Sequence, residues 1–411
     1  MNNKKLYIYH TFLSRDSKLG QFNKIKDLTN QLDYIENLGM NTILTNPIMQ
    51  SADGSHGYYI QDFYQIDSRL GTMKDFEELL RELEKRNMKF CIDITMAHCS
   101  DQSFYYKDWI KGKNNFFVAE DYPINDIGSD MKPTKYEWRP SLNKHLVCAF
   151  DGFIPNLNVK DKDVQNEMKR VIQYWLKKSP NNIIFRLDGI LHNRVNAINN
   201  DGLIYCRQIR EWVNEINPNC ILIGEVWNNA DLLNSAKEYG EILGNVFDFY
   251  NTFSVVNQIR DGKGYDDIYI NNSYKSRRVM FTSNHDCSRL MSMLDNDINK
   301  VKLFLDVLIN KTDDNTDLAF YYGFENNMTG YIEHEGGDLN VRRNVDKIMA
   351  TINAKNSLEF KNEDSTGRLP TVNKYSSLLQ TFIIILKYNT KITLVLQMLQ
   401  EVFQWCNGDS Q

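Results

Sequence analysis

A chain of 411 residues with 48 basic and 53 acidic side chains, for a formal net charge of −5, is long enough to bury a large core. No Lys/Arg run stands out, so nucleic acid and anionic membranes are excluded as expected partners and a neutral ligand fits better. Seven scattered cysteines without a Cys-x-x-Cys pair argue against a disulfide or zinc framework. No apolar run approaches the roughly 20 residues that cross a bilayer, and no signal-peptide pattern precedes the first strand, so a cytoplasmic location is expected.

The first strand is expected at Leu6 to His10. A helix carrying Ile25, Leu28, Leu32 and Ile35 on one face follows, and Gly39 stops it. After a strand at Asn41 to Leu44, Thr72 caps a helix with Asp75 three residues on, and Phe76, Leu79, Leu80 and Leu83 form its apolar face. A strand at Lys89 to Ile94 comes next. The following helical face (Val164, Met168, Val171, Trp175) is delayed by about 65 residues, too long for an ordinary connection, which predicts an inserted subdomain. Its aromatic residues (Phe104, Tyr105, Tyr106, Trp109, Tyr136, Trp138) are expected mainly as its own core.

Alternation then resumes with a strand at Ile183 to Leu187, a helix with Ile204, Ile209, Trp212 and Val213, and a strand at Ile221 to Gly224. Strands at Val246 to Phe249 and Arg278 to Thr282, a helix from Val301 to Ile309 and a strand at Leu318 to Tyr322 complete it. Eight strands alternating with helices, with no Gly-x-Gly-x-x-Gly after the first, predict an α/β fold: a (β/α)8 TIM barrel with an inserted subdomain after strand 3. Beyond it, extended segments at Phe382 to Lys387 and Ile392 to Leu396 read as a hairpin in a small β-rich C-terminal domain. The expected division is 1–97 and 160–337 for the barrel, 98–159 for the insert and 338–411 for the C-terminal domain.

Four segments end an apolar run in polar or charged residues: Asp93 to His98, Phe185 to His192, Gly224 to Trp227 and Phe281 to Asp286. Separate strand ends delivering three carboxylates, an arginine and histidines are how a barrel builds a site at one face. Asp188 lies two residues after Arg186, on the same side of the pleat, where pairing is expected to keep it ionised. Glu225 ends an apolar strand beside Trp227, and partial desolvation there would make it a proton donor near neutral pH. A low and a high carboxylate about 5 to 5.5 Å apart describe retaining glycoside hydrolysis, with Asp286 stabilising positive charge on the sugar. Read without the other segments, Arg186 and Asp188 would be only an ion pair at a barrel rim.

The chain resembles the α-amylase family of glycoside hydrolases, whose short signature segments appear here in order. To the four segments it adds His56-Gly57-Tyr58 with Asp62 and Asp67 to Gly71, and Ile154 to Asn158. The resemblance, over about residues 5 to 335, implies Asp188 as nucleophile, Glu225 as general acid/base and Asp286 as transition-state stabiliser. It implies that Asp93, His98, His192 and His285 contact substrate, that Arg186 orients Asp188, and that Tyr58 stacks under the sugar. The family places a calcium ligand before the histidine of the Asp93 segment; Ala97 stands there, so no metal or cofactor is expected. Leu191 replaces a lysine common in endo-acting members, and Trp227 is closer to intracellular maltodextrin-degrading ones. Hydrolysis of α-1,4 bonds in an α-glucan oligosaccharide is the activity implied. The alternatives are transfer, isomerisation or phosphorolysis at the same site, or a catalytically silent carbohydrate-binding protein.

Overall fold

The computed structural model describes residues 4–344 apart from 17, 55, 124–134, 149–151, 194–200, 230 and 335. Eight parallel strands close into a barrel in chain order: β1 (Tyr7–His10), β2 (Thr42–Leu44), β3 (Lys89–Thr95), β4 (Ile183–Asp188), β5 (Leu222–Gly224), β6 (Gly244–Phe247), β7 (Arg277–Phe281) and β8 (Thr316–Tyr321). β8 returns to β1 with Tyr7 opposite Leu318 and His10 opposite Tyr321, so no edge is left open. The predicted (β/α)8 barrel is present.

The period of two along each strand sorts the core into two layers. Ile8, Leu44, Cys91, Ile184, Ile223, Phe247, Val279, Phe281 and Ala319, drawn from all eight strands, form one cluster that fills the lumen. Their neighbours Tyr9, Ile43, Phe90, Ile92, Phe185, Leu222, Val246, Met280 and Leu318 belong to the larger cluster under the helices. The inward parity continues toward the C-terminal strand ends through His10, Asp93, Arg186 and Asp188. An apolar floor therefore underlies a polar upper layer.

Helix Met73–Lys85 begins as expected: Thr72 Oγ1 accepts from Asp75 N and Asp75 Oδ2 accepts from Thr72 N, with Phe76, Leu79, Leu80 and Leu83 buried. Lys162–Lys178 buries Val164, Met168, Val171 and Trp175, and the Trp175 indole donates to Phe63 O at 2.8 Å. The single helix expected over Ile25 to Ile35 is two, Ile25–Thr29 and Leu32–Asn37, broken at Asn30 and Gln31. Ile204, expected on a buried face, is 56% exposed. The strand expected at Val246 to Phe249 ends at Phe247, because the Asp248 side chain accepts from Asn251 N and starts a helix at Phe249–Arg260. Neither that helix nor Leu232–Leu243, which buries Ala236, Tyr239, Gly240 and Leu243 at helical spacing, was among the expected elements.

Between β3 and β4 lie helix Phe104–Trp109 and an antiparallel three-stranded sheet of Ala119–Glu120, Lys135–Arg139 and Lys144–Cys148. Tyr105, Tyr106 and Trp109 are core there, while Phe104 and Trp138 are exposed. The six cysteines among the described residues are buried and form no disulfide with one another. Residues 345–411, with the hairpin expected at Phe382 to Leu396 and Cys406, lie outside the described residues.

Candidate active site

The upper layer holds one continuous polar network. Arg186, at 3% exposure, directs Nη1 to both carboxylate oxygens of Asp93 at 2.7 and 2.6 Å and to Asp188 Oδ1 at 2.7 Å, and Nη2 to Glu225 Oε1 at 2.5 Å. The Arg186 and Asp188 side chains share a face as their spacing predicts. Glu225 follows β5 directly, and its other oxygen accepts the Gly189 N–H at 2.9 Å. Gly189 adopts φ 51°, a left-handed conformation that costs glycine little and turns this N–H toward Glu225. Before Glu225, a Cβ on Gly224 would stand 2.7 Å from Leu243 Cδ1 and 2.9 Å from Ile190 Cδ1, so glycine alone fits the packed strand end.

The other half of the network runs through Tyr58. Its hydroxyl donates to Asp93 Oδ2 at 2.9 Å and lies 2.9 Å from His285 Nε2, with the two rings stacked at 5.3 Å. His285 Nε2 also lies 2.9 Å from Asp286 Oδ2. Across from it, Arg342 reaches Asp286 Oδ1 at 3.0 Å through Nη2 and the His285 carbonyl at 3.0 Å through Nε. The structure thus joins Tyr58, Asp93, Arg186, Asp188, Glu225, His285 and Asp286. His98 is buried at the end of β3, where a bridge to Asn156 ties the insert to the rim. His192 lies in the short helical turn Ile190–Asn193, and its side chain is outside the described residues.

One guanidinium serving three carboxylates sets the electrostatics. Burial pushes the Asp188 carboxyl well above the usual carboxylate range, and Glu225, Asp93 and Asp286 add to the push against the pull of Arg186. The expectation that pairing with Arg186 holds Asp188 low is therefore corrected: the guanidinium is shared with Asp93 and Glu225, and like charges crowd Asp188. Asp93 is likewise raised, by burial above all. Asp286 goes the other way. Burial would raise it, but His285, Arg342 and Arg186 together outweigh that and hold it well below the usual range. Environment therefore separates Asp188 and Asp93 from Asp286, but it raises the carboxylate that the sequence reading expected low.

Arg342 is the residue the sequence reading missed. It follows the short helix Gly337–Val341, beyond the boundary drawn where periodicity fades. No period marks it, and only the fold brings it to Asp286.

The calcium place does not fit a hard cation. Ala97 offers a buried methyl, and its carbonyl oxygen already accepts the Leu157 N–H at 2.8 Å. No cluster of three His, Cys, Asp or Glu side chains suited to a metal occurs among the described residues.

The model of the alpha amylase catalytic domain matches residues 10–382. The chain belongs to the α-amylase family. Among curated relatives, "Alpha-amylase 3" of Dictyoglomus thermophilum is 26% identical over 312 residues, covering 72% of this chain and 60% of that protein. "Intracellular maltogenic amylase" of Bacillus subtilis is 24% identical over 330 residues, covering 77% of this chain and 51% of that protein. The chain thus spans roughly half to three fifths of the length of these relatives. Among solved structures, the α-amylase from H. orenii superposes with a TM-score of 0.69 at 24% identity, over 83% of this chain and 72% of that one, a likeness of fold. In this α-amylase-family barrel four of the resembling segments lie at strand ends and, with Tyr58, carry the network. No described helix is long and apolar enough to cross a membrane.

Proposed function

We propose that this protein is an intracellular retaining α-glycosidase that hydrolyses α-1,4 bonds in maltodextrins or related α-glucans. The observation that carries the reading is Arg186, which fixes Asp188 and Glu225 toward one another from adjacent strands while Asp286 is held ionised opposite. In the first half-reaction Glu225 gives its proton to the glycosidic oxygen as that C–O bond breaks, and Asp188 forms a bond to the anomeric carbon. In the second, Glu225 takes a proton from water, whose oxygen displaces Asp188 and restores the α configuration. Asp286, anionic beside the ring, stabilises the oxocarbenium-like charge between these steps. Tyr58 supplies an aromatic face and His285 a donor. The names of the maltogenic relative and of Alpha-amylase 3 support an α-glucan substrate.

The test is product release from maltoheptaose, starch, pullulan and cyclodextrin in EDTA, with anomers followed by NMR. Initial release of α anomers, abolished by Asp188→Asn, is expected. β anomers first would overturn the mechanism. Phosphate-dependent release, or disproportionation of maltotriose without net hydrolysis, would replace water by another acceptor and overturn the hydrolytic assignment.

A further inference from the structure

His10 ends β1 on the inward parity of Ile8, which puts it in the polar upper layer beside His285. It is 3% exposed, and neither Nδ1 nor Nε2 has a hydrogen-bond partner among the described residues. The Nδ1 of His285 is equally buried and equally without one. The two rings stand edge to face with centroids 5.7 Å apart at 83°. Three orphaned nitrogens on two adjacent rings is an unusual concentration of unpaired polar atoms in a buried layer, where such groups are satisfied by protein or by an internal water. No direct bond joins the rings, and one internal water accepting from and donating to ring nitrogens would satisfy orphaned atoms on both.

The other side of His285 tells which proton is at stake. Its Nε2 faces Asp286 Oδ2 and the Tyr58 oxygen, each at 2.9 Å. An ionised carboxylate only accepts, and the Tyr58 O–H is given to Asp93, so Nε2 must carry the hydrogen. Nδ1 is then an acceptor in the neutral ring and a donor in the charged one. Neutral His10, with one donor and one acceptor nitrogen, matches either state through a water that itself does both.

We propose that His10 is a positioning residue that holds the Nδ1 of His285 through one water and so fixes the Nε2 proton that faces Asp286 and Tyr58. Burial keeps His10 neutral, with the positive character of His285 and Arg186 adding to it and Asp286 opposing. The other groups around His285 are Arg342 on its carbonyl and His56, itself lowered to about 4 chiefly by burial. From the neighbouring strand β8, Tyr321 packs on His10 with ring centroids 5.2 Å apart, and burial holds its phenol neutral. The kinetic consequence rests on the glycosidase reading, while the protonation of the two rings does not.

The test uses the full chain labelled with 15N-histidine, whose seven histidines give an assignable spectrum. In the wild type, His285 is expected as the Nε2–H form with a hydrogen-bonded Nδ1, and His10 as a neutral ring from pH 5 to 8. His10→Phe, which removes both nitrogens, is expected to move the His285 Nδ1 resonance, shift the pH profile and lower kcat about tenfold, the loss of one net hydrogen bond. His10→Gln, which keeps a donor and an acceptor, is expected to restore the profile. Unchanged His285 resonances and profile in His10→Phe would overturn the proposal. Should His10→Phe fail to fold, a wild-type His10 that titrates near 6.5, or a His285 Nδ1 without a hydrogen-bond shift, overturns it instead. If the protein turns over no glucan at all, the spectra still decide, and only the glycosidase reading fails.

Discussion

The Arg186 guanidinium lies 2.5 Å from Glu225, a residue on the next strand, while its second nitrogen holds Asp188 on its own. A planar fork can join two carboxylates in this way, and a lysine ammonium cannot. Arg186→Lys is therefore expected to lower kcat about a hundredfold or more with a smaller change in KM, the pattern of lost transition-state positioning. Steady-state kinetics on maltoheptaose checks it. A raised KM with kcat unchanged would mean that Arg186 only helps bind substrate.

Asp188 is raised by burial and by its carboxylate neighbours, so its neutral form is the one that folding favours. The sign follows: its contribution to stability is fully present below the unfolded value near 4 and is lost as pH rises through the raised folded value. At neutral pH an ionised Asp188 carboxylate is a strain on the fold. Asp188→Asn is expected to abolish turnover and to raise stability by on the order of 1 kcal/mol, a few degrees in Tm. Thermal unfolding of both proteins at pH 7 and pH 4 should show the gap close at the lower pH.

The same shift predicts the acidic limb of kcat/KM above the ordinary carboxylate range near 4, since Asp188 must be ionised to attack. Asp93→Asn removes a buried like charge and is expected to move that limb toward lower pH. The limb belongs to the coupled cluster, so the comparison between variants carries the information. A limb unmoved by Asp93→Asn would contradict the crowding argument.

Asp286 is depressed, so its stabilising contribution is present above the unfolded value and lost as pH falls through the folded one. Arg342→Gln takes away one of its two partners. The variant should lose kcat/KM about tenfold, one charge-assisted bond, and become more acid-labile than the wild type. Retained activity would leave Arg342 with a purely structural role.

Outside the polar network, Thr72→Ala removes the cap of Met73–Lys85 and is expected to cost about 1 kcal/mol with kcat unchanged. Urea unfolding measures the first and maltoheptaose hydrolysis the second.

Local rules were readable in the chain. The Thr72 cap, the apolar stripe through Phe76 and Leu83, the strand ends at Asp93, Asp188 and Glu225, and the shared face of Arg186 and Asp188 follow from periods of 3.6 and 2 and from capping chemistry, which act over a few residues. The helix Phe249–Arg260 was not readable, since buried Asn251 and Thr252 interrupt its apolar face and are tolerated only because other parts of the fold bond to them. The two-helix break near Asn30 was equally hidden.

The sequence by itself therefore determined the eight-stranded alternation and the family, because each is written in residue type and short spacing. Only the tertiary structure decided how charge is divided among those carboxylates. Arg186 meeting Asp93, Asp188 and Glu225 at once, Arg342 arriving from 56 residues beyond Asp286, and His10 beside His285 are arrangements that mostly join residues far apart in the chain. Coulomb energy and desolvation depend on distance and burial in space, and neither quantity exists until the barrel closes.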